Sequence, residues 1–277
     1  MSRMLLSLFY ALFIFSVYST EAGAANDTLK GNDTRKSSRI LFLTAMEQEL
    51  TPLLKSNIVK KGKRLFPDLT IYEGKLGHHP LSVGLLGIGK VNAAYATTQY
   101  ILATKPDVII LFGSAGGLHE LKHGALFAAA QTWTYDYGAL NASGFEHWVP
   151  GSLPIGKNQP PVRRVVDSNI RSAVSSKYPK IEWVTIASGD TFINNTALSQ
   201  RLASEGADLV DMESAVVEEL AARFKIPSLV LRVVSDAAND DAHSDFSASL
   251  DQVSEHATPV VISIIHTVAD EVPATKL

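Results

Sequence analysis

The chain has 277 residues, 46% of them hydrophobic, and a formal net charge of -3. That length and apolar content suffice for one sizeable core, and nothing in the interior marks a second domain. The charge argues against a broad basic surface for nucleic acid. Cysteine is absent, which excludes disulfides, thiolate nucleophiles and cysteine-ligated zinc. No metal site is predicted, because His78 and His79 precede Pro80 in a pattern typical of a hairpin turn.

The N-terminus predicts a secretory signal peptide over residues 1–24. Arg3 precedes an apolar run at 5–18, and the small residues Ala-Gly-Ala at 22–24 have the spacing that signal peptidase prefers. The run of about 14 residues is shorter than the roughly 20 that a membrane span needs. An uncleaved N-terminal anchor is the alternative. We expect a secreted or periplasmic protein that leaves the membrane after cleavage.

Residues 25–38 are small and polar and predict a flexible linker, so the folded domain is expected at 39–277. There, short apolar runs alternate with helical stretches, which is typical of an α/β domain. The predicted strands cover residues 40–43, 81–86, 108–112, 184–187, 209–210 and 229–234. The predicted helices include 91–103 and 251–271.

Four of these strands run directly into polar or glycine-rich groups. The groups are residues 44–49, 113–117, 211–213 and 235–236. Ligands bind outside the carboxyl ends of the strands in open α/β sheets. The four groups are therefore expected to meet at one edge of the sheet and to form a ligand site.

Two nearby acids follow the first strand, and Glu49 is the better candidate for a buried functional carboxylate. Glu47 and Glu49 are two residues apart and cannot share a helix face. Glu49 borders the apolar stripe that includes Met46, whereas Glu47 points elsewhere. Pro52 is tolerated only in a first turn, so the helix is expected to start later than this stripe indicates. A first-turn acid that the helix dipole favours is the alternative for either residue.

Two glycine-containing segments also follow predicted strands. Residues 113–117 (Gly-Ser-Ala-Gly-Gly) supply backbone N–H groups where the chain can pass close to a ligand. Residues 87–90 (Gly-Ile-Gly-Lys) open a helix and give a weaker signal of the same kind. Neither segment is a Walker loop or a GxGxxG motif, so neither predicts phosphate binding. A structural turn is the alternative for both.

Three more side chains at strand ends are candidates. The ring of Phe192 lies in a polar loop and could stack on a base whose edge the backbone near Ile193 reads; packing into the core is the alternative. Glu213 opens a helix and could accept hydrogen bonds from sugar hydroxyls, or be a helix-start acid. Asp236 ends an apolar strand, so desolvation should raise its pKa and favour proton donation; a turn or cap role is the alternative.

Taken in chain order, six motifs resemble those of the 5'-methylthioadenosine/S-adenosylhomocysteine nucleosidases. The motifs are residues 45–49 (AMEQE), 87–90 (GIGK), 113–117 (GSAGG), 188–193 (SGDTFI), 212–213 (ME) and 235–237 (SDA). Each motif alone is weak evidence for a family, but six motifs in the same order are a specific signal. The resemblance implies the nucleoside phosphorylase-like fold, a three-layer α/β/α sandwich around a mixed, twisted sheet.

The resemblance also implies roles for individual residues. Glu49 matches the acid that polarises the attacking water. Asp236 matches the acid that protonates purine N7, with Ser235 holding its orientation. Glu213 matches the carboxylate on the ribose hydroxyls, with Met212 packing against the sugar. Cleavage of the N-glycosidic bond builds positive charge on the sugar and negative charge on the base, which such acids stabilise.

The remaining positions would bind the adenine nucleoside without a cofactor. Phe192 matches the ring stacked on adenine, and Ile193 the residue whose backbone reads its edge. The other predicted lining residues are Ile88, Ser114, Ala115 and Gly116. The resemblance implies a homodimer, in which a neighbouring subunit closes the 5' end of the pocket. Apolar segments after Val91 and near Trp133 would otherwise be exposed.

The 5' preference stays open, because the loop over 135–151 matches the family only loosely and has His147 where a tyrosine is common. Two other functions are open as well. A purine nucleoside phosphorylase would need arginines around phosphate, but the early loops offer none and Arg232 is expected to be structural. A non-catalytic nucleoside-binding protein would be expected to have lost one of the acids, all of which are present.

Overall fold

The computed structural model describes residues 37–142, 144–149 and 162–272. The predicted signal peptide and residues 25–36 of the predicted linker lie outside this part. Ser38 is buried; its hydroxyl donates to the carbonyl of Val272 at 2.5 Å, and its N–H donates to Nδ1 of His79 at 3.0 Å. Ser38 is therefore packed against the folded domain.

Strands and helices alternate along the described residues. The strands are β1 (Ile40–Thr44), β2 (Lys63–Phe66), β3 (Leu69–Leu76), β4 (His79–Leu85), β5 (Val108–Gly117), β6 (Leu126–Thr134), β7 (Gly138–Asn141), β8 (Gly144–His147), β9 (Arg164–Val165), β10 (Glu182–Ser188), β11 (Leu209–Asp211) and β12 (Ser228–Asp236). The helices are α1 (Glu47–Lys55), α2 (Lys90–Thr104), α3 (Ser168–Lys177), α4 (Thr196–Ser204), α5 (Ser214–Phe224) and α6 (Ala242–Glu271). No helix in the described part of the chain has the length and apolar content to cross a bilayer.

The main sheet has the strand order β11-β10-β6-β12-β5-β1-β4-β3-β2, and β9 pairs with β6. It is mixed: β5 lies parallel to β1 and β12, whereas β12 lies antiparallel to β6. β11 also pairs with the end of β5 in antiparallel orientation. This second pairing closes strands β11, β10, β6, β12 and β5 into a ring.

Helices cover both faces of the sheet. Side chains alternate along a strand, so Ile40 and Phe42 of β1 pack into one core cluster while Leu41 and Leu43 pack into another. Helices α1, α3 and α6 contribute to the first cluster, and α2 and α5 to the second. The predicted three-layer sandwich is confirmed. Burial on both faces also explains why the central strands are continuous apolar runs.

Two helices begin earlier than predicted. α1 begins at Glu47 and contains Pro52, so the prediction of a later start was wrong. Proline removes the N–H that would bond to the carbonyl of Gln48, but Gln48 is exposed and water can replace that bond. α6 begins at Ala242 rather than at residue 251, because its first turns are mostly polar and exposed and give no apolar stripe.

Candidate active site

A cavity of about 310 Å³ lies beside the carboxyl ends of β1, β5 and β12. Its lining residues are Ala45, Met46, Glu49, Ile88, Ser114, Ala115, Gly116, Phe192, Val210, Asp211, Met212, Glu213, Ser235, Asp236 and Phe246. Every predicted site residue except Ile193 is among them. β11 reaches this place in the opposite direction to β5, so the four strand ends converge as predicted although only three of the strands are mutually parallel.

Ile193 has a different environment from the other predicted residues. Its side chain is buried and packs in a core cluster with Tyr135 and Val210. It borders a smaller hollow of about 30 Å³, which shares Phe192 and Asp236 with the main cavity. Ile193 therefore lies beside the main cavity but does not line it.

Glu49 is a buried carboxylate held by four donors. Its Oε1 accepts from the N–H and the hydroxyl of Ser114 at 2.8 and 3.0 Å. Its Oε2 accepts from the N–H groups of Ala45 and Met46 at 3.0 and 3.1 Å. Burial raises the pKa of Glu49, against the opposing effects of Arg232 and of these bonds. Glu47 is exposed, so the prediction that Glu49 is the buried acid of the two is confirmed.

The glycine-rich segment 113–117 continues β5 rather than following it, so the predicted end of this strand at residue 112 was wrong, and the segment is not a turn. A Cβ on Gly113 would lie 2.2 Å from Nη1 of Arg232 and 2.8 Å from Oε1 of Glu49. Only glycine leaves room for both charged groups at this point of the strand. The backbone N–H of Ser114 in this segment donates to Glu49 rather than to a ligand.

Glu213 is the N-cap residue of α5, but its side chain does not cap the helix. Oε1 accepts the N–H of Gly89 at 3.0 Å, and Oε2 lies 3.5 Å from Nη2 of Arg232. Burial raises the pKa of Glu213 to about 7; Arg232 opposes this rise, and Asp211 adds to it. An acid that only stabilised the start of α5 would bind N–H groups of that helix, whereas Glu213 binds the N–H of Gly89. The alternative role of Glu213 as a helix-start acid therefore does not explain this geometry.

Asp236 is buried at the end of β12, and hydrogen bonds orient its carboxyl group. The Ser235 hydroxyl lies 2.9 Å from Oδ2, and the N–H of Ala238 donates to Oδ1 at 2.9 Å. Burial raises the pKa of Asp236, and these two bonds lower it. The carboxyl therefore retains a proton to higher pH than an exposed aspartate does.

Two aromatic rings form one wall of the cavity. Phe192 is 39% exposed, and its ring centroid lies 5.6 Å from that of Phe246 in an edge-to-face arrangement. Phe192 is therefore not tucked into the core. Phe246 was not predicted, because it lies in the polar first turns of α6, where no apolar stripe marks a helix. The only sequence feature that could have indicated it was an aromatic residue within this polar segment.

Arg232 lies beneath the cavity and binds several of its acids. It is fully buried, and its Nη2 is 2.6 Å from Oδ2 of Asp211. Its Nη1 has no hydrogen-bond partner among the described residues. The prediction of a purely structural arginine was incomplete, since its charge also acts on Glu49 and Glu213.

Two adjacent histidines lie outside the lining of the cavity, at the turn between β3 and β4. His78, His79 and Asp270 offer ligand atoms within 4.8 Å of one another. However, Nδ1 of His79 accepts the N–H of Ser38, so its proton is on Nε2, which faces Asp270 at 3.1 Å. These atoms form a hydrogen-bonded chain beside the predicted hairpin, in which β3 ends at Leu76 and β4 begins at His79.

The sequence His-Glu-Leu-Lys-His at 119–123 has a spacing that binds zinc when it lies on a helix, and it was not predicted as a site. Here it lies in a loop. Nε2 of His119 is 3.7 Å from Asp208, whereas Nε2 of His123 is 2.9 Å from the carbonyl of Ser235. The two rings therefore have different partners.

The chain belongs to the phosphorylase superfamily, whose sequence profile matches residues 39–267. The 5'-methylthioadenosine/S-adenosylhomocysteine nucleosidase of Staphylococcus aureus (strain JH9) is 31% identical over 229 residues, which is 81% of this chain and 97% of that protein. The chain belongs to this nucleosidase family and is an N-ribosyl hydrolase, as predicted.

Solved structures show the same likeness. A Helicobacter pylori nucleosidase variant of this family, with 5'-methylthioadenosine in its active site, has a TM-score of 0.73 and 25% identity, and the match covers 83% of this chain and 99% of that one. The futalosine hydrolase of Helicobacter pylori has a TM-score of 0.72 and 26% identity, with 84% and 98% covered. The nucleoside phosphorylase-like fold is confirmed, and the fold is shared by enzymes with different named substrates.

Proposed function

We propose that this enzyme hydrolyses 5'-methylthioadenosine and S-adenosylhomocysteine, and also 5'-deoxyadenosine, to adenine and the corresponding sugar. The observation that supports this most directly is the single cavity that Glu49, Glu213 and Asp236 share. Its volume of about 310 Å³ suits one small ligand. All three acids have raised pKa values, which is typical of groups that exchange protons in a reaction.

In this proposal each acid has one role. Asp236 donates a proton to N7 of the departing adenine, and Ser235 orients it. Glu49 polarises the attacking water. Glu213 accepts hydrogen bonds from the ribose hydroxyls and stabilises the positive charge that develops on the sugar.

The other lining residues bind the nucleoside. The ring of Phe192 stacks on adenine, and the backbone of Ile193 reads its edge beside the smaller hollow. Met212 packs against the sugar. The remaining walls are those of Ile88, Ser114, Ala115 and Gly116, and Phe246 adds an apolar surface for the 5' substituent.

The charges around the cavity favour water over phosphate as the nucleophile. The described lining contains no lysine or arginine, although phosphate is usually bound by such groups. Arg232 lies close by, but its charge is already matched by Asp211, Glu213 and Glu49. A phosphate ion would meet a net negative site, whereas a neutral water molecule would not.

The substrate assignment is tested with five nucleosides and the purified enzyme. Values of kcat/KM are compared for 5'-methylthioadenosine, S-adenosylhomocysteine, 5'-deoxyadenosine, inosine and futalosine. Futalosine belongs in the panel because one structural relative is named for it. We expect the two thionucleosides to give the highest values. A clear preference for futalosine or inosine would contradict the proposal.

We also propose that two copies of the chain associate through α2. Val91 and Leu102 are 79% and 57% exposed, and Ile88 at the cavity rim is 51% exposed. Such apolar surface is typical of interfaces. Trp133 itself is buried, whereas Tyr137 and Leu140 in the segment after it are 36% and 81% exposed. Light scattering should give the mass of a dimer, and Val91→Asp should give a monomer; a monomeric wild-type protein would contradict the proposal.

Export is proposed from the sequence of residues 1–24. The enzyme would then act on nucleosides outside the cytoplasm. The full-length chain is expressed in bacteria, and the N-terminus of the soluble product is determined by mass spectrometry. We expect cleavage after residue 24 and recovery from the periplasm. An intact N-terminus in the cytoplasmic fraction would contradict export.

A further inference from the structure

Three charged side chains from separate segments form a cluster next to the cavity. Nζ of Lys90 is 2.5 Å from Oδ1 of Asp136 and 3.6 Å from Oδ2 of Asp190. The main chain takes part: the N–H of Lys90 donates to Oδ1 of Asp190 at 2.7 Å, and the N–H of Asp190 donates to Oδ2 of Asp136 at 2.8 Å. The cluster joins the start of α2, the segment after β6 and the loop after β10.

These segments carry parts of the cavity wall that have little packing of their own. Ile88 precedes Lys90 by two residues, and Phe192 follows Asp190 by two. Their side chains are 51% and 39% exposed, so burial restrains them less than it restrains core residues, although the Phe192 ring packs against those of His243 and Phe246. The cluster links both segments through short, charge-assisted bonds, which are stronger than bonds between neutral groups.

The cluster of Lys90, Asp136 and Asp190 also helps to hold the Gly89 N–H, which is a hydrogen-bond donor to Glu213. Gly89 has φ of 92°, a conformation that favours glycine, and its N–H donates to Oε1 of Glu213 at 3.0 Å. The N–H of the next residue, Lys90, donates to Oδ1 of Asp190 at 2.7 Å. A shift of Asp190 would therefore move the main chain that carries the Gly89 N–H.

We propose that Lys90, Asp136 and Asp190 are positioning residues that hold the Ile88 and Phe192 walls around the nucleoside and keep the Gly89 N–H on Glu213. None of the three lines the cavity, so none touches the reacting atoms. The expected effect of these residues on catalysis rests on the proposed function of Glu213 and Phe192. Their expected effect on the positions of residues 86–91 and 188–193 does not depend on that function.

The main test variant is Asp190→Ala, which removes both acceptor oxygens from an exposed position. Amide hydrogen exchange of residues 86–91 and 188–193 should become faster, with the rest of the domain unchanged. A misplacement of about 1 Å costs up to about a hundredfold in rate, so kcat/KM should fall by about 10- to 100-fold. KM should rise as part of this loss, because the Ile88 and Phe192 walls bind the nucleoside in the proposed function.

A pH profile separates this role from a general loss of structure. The Gly89 N–H lowers the pKa of Glu213, whose other charged neighbours are Arg232, Asp211 and Glu49. Without that bond the pKa rises further. The acidic limb of the kcat/KM profile, where ionised Glu213 is lost, should therefore move to higher pH in Asp190→Ala.

Two further variants complete the test. Asp190→Asn keeps an oxygen for the Lys90 N–H and should restore part of the exchange protection and of KM. Glu73→Ala is the matched control, because it removes an exposed ion pair of 2.6 Å with Lys63 elsewhere in the fold; it should resemble wild type in all three measurements.

Unchanged exchange and unchanged KM in Asp190→Ala would overturn the proposal. If that variant does not fold, Lys90→Met and Asp190→Asn are measured instead, and wild-type exchange in both would overturn it equally. A wild-type enzyme that cleaves no nucleoside would refute the proposed function, whereas the exchange measurements would still decide whether the cluster holds the two loops.

Discussion

The substitution Glu213→Gln is expected to stabilise the protein at alkaline pH while it damages the active site. Burial raises the pKa of Glu213 from 4.5 to about 7, so the folded state disfavours the ionised form. Wild-type stability is therefore full below about pH 4.5 and falls as pH rises towards about 7. At about 1.36 kcal/mol per pKa unit, the loss is about 3 kcal/mol. Glutamine resembles the protonated acid and avoids this loss.

The free energy of unfolding is measured by chemical denaturation at about pH 5 and about pH 8, for wild type and variant. Glu218→Gln is the matched control, because Glu218 is also buried with a pKa raised to about 7, but it lies next to Ser228 at the other end of β12. Both variants should gain stability at the higher pH, up to about 3 kcal/mol. Only Glu213→Gln should lose kcat/KM. A stability difference for Glu213→Gln that does not grow with pH would refute the reasoning.

Three other substitutions test separate parts of the site. Asp236→Asn should lower kcat for adenine release by about 10²- to 10⁴-fold, the usual contribution of a general acid; equal rates in a steady-state assay would rule out Asp236 as the proton donor. Gly113→Ala should lower the unfolding free energy by about 1–3 kcal/mol, as overpacked cores do, because Arg232 and Glu49 occupy the space; an unchanged melting temperature would contradict this. Phe246→Ala should raise KM for 5'-methylthioadenosine by about 3- to 10-fold, from about 0.5–1.5 kcal/mol of lost aromatic contact; an unaltered KM would place the 5' group elsewhere.

The central strands could be predicted because burial on both faces leaves a clear sequence signal. β1 and the first five residues of β5 are continuous apolar runs, and β12 is apolar from Leu229 to Val234 except at Arg232. Polar or glycine-rich groups stand at or just after the end of each strand. Glu49 and Asp236 could be identified on this basis. The direction of β11 could not, because nothing in a strand of three residues indicates which neighbour it pairs with.

Other elements left weaker signals. β2 and β3 are edge strands with exposed positions, and they lack the apolar continuity of the centre. Helix α3 is short and polar, although Asp167, which caps it with bonds to two backbone N–H groups, was a start signal that could have been used. Phe246 could not be predicted for a similar reason, because the first turns of α6 are polar and show no apolar stripe.

Contacts between distant residues could not be predicted from local patterns. Lys90 and Asp190 are 100 positions apart and lie in two separate motifs. Nothing in either motif indicates that the two residues are in contact. The same holds for Arg232 and Asp211, whose pairing depends on the closure of the strand ring. Sequence patterns indicated which residues lie at the cavity, whereas the charges that tune those residues became visible only in the folded chain.

The most direct test is the fate of water oxygen when the purified enzyme cleaves 5'-methylthioadenosine in ¹⁸O-labelled water, with and without phosphate. We expect adenine release at the same rate in both, one labelled oxygen in the methylthioribose product, and a large loss of rate in Glu49→Gln. Formation of a sugar phosphate, or release of adenine that requires phosphate, would contradict hydrolysis at this three-acid cavity.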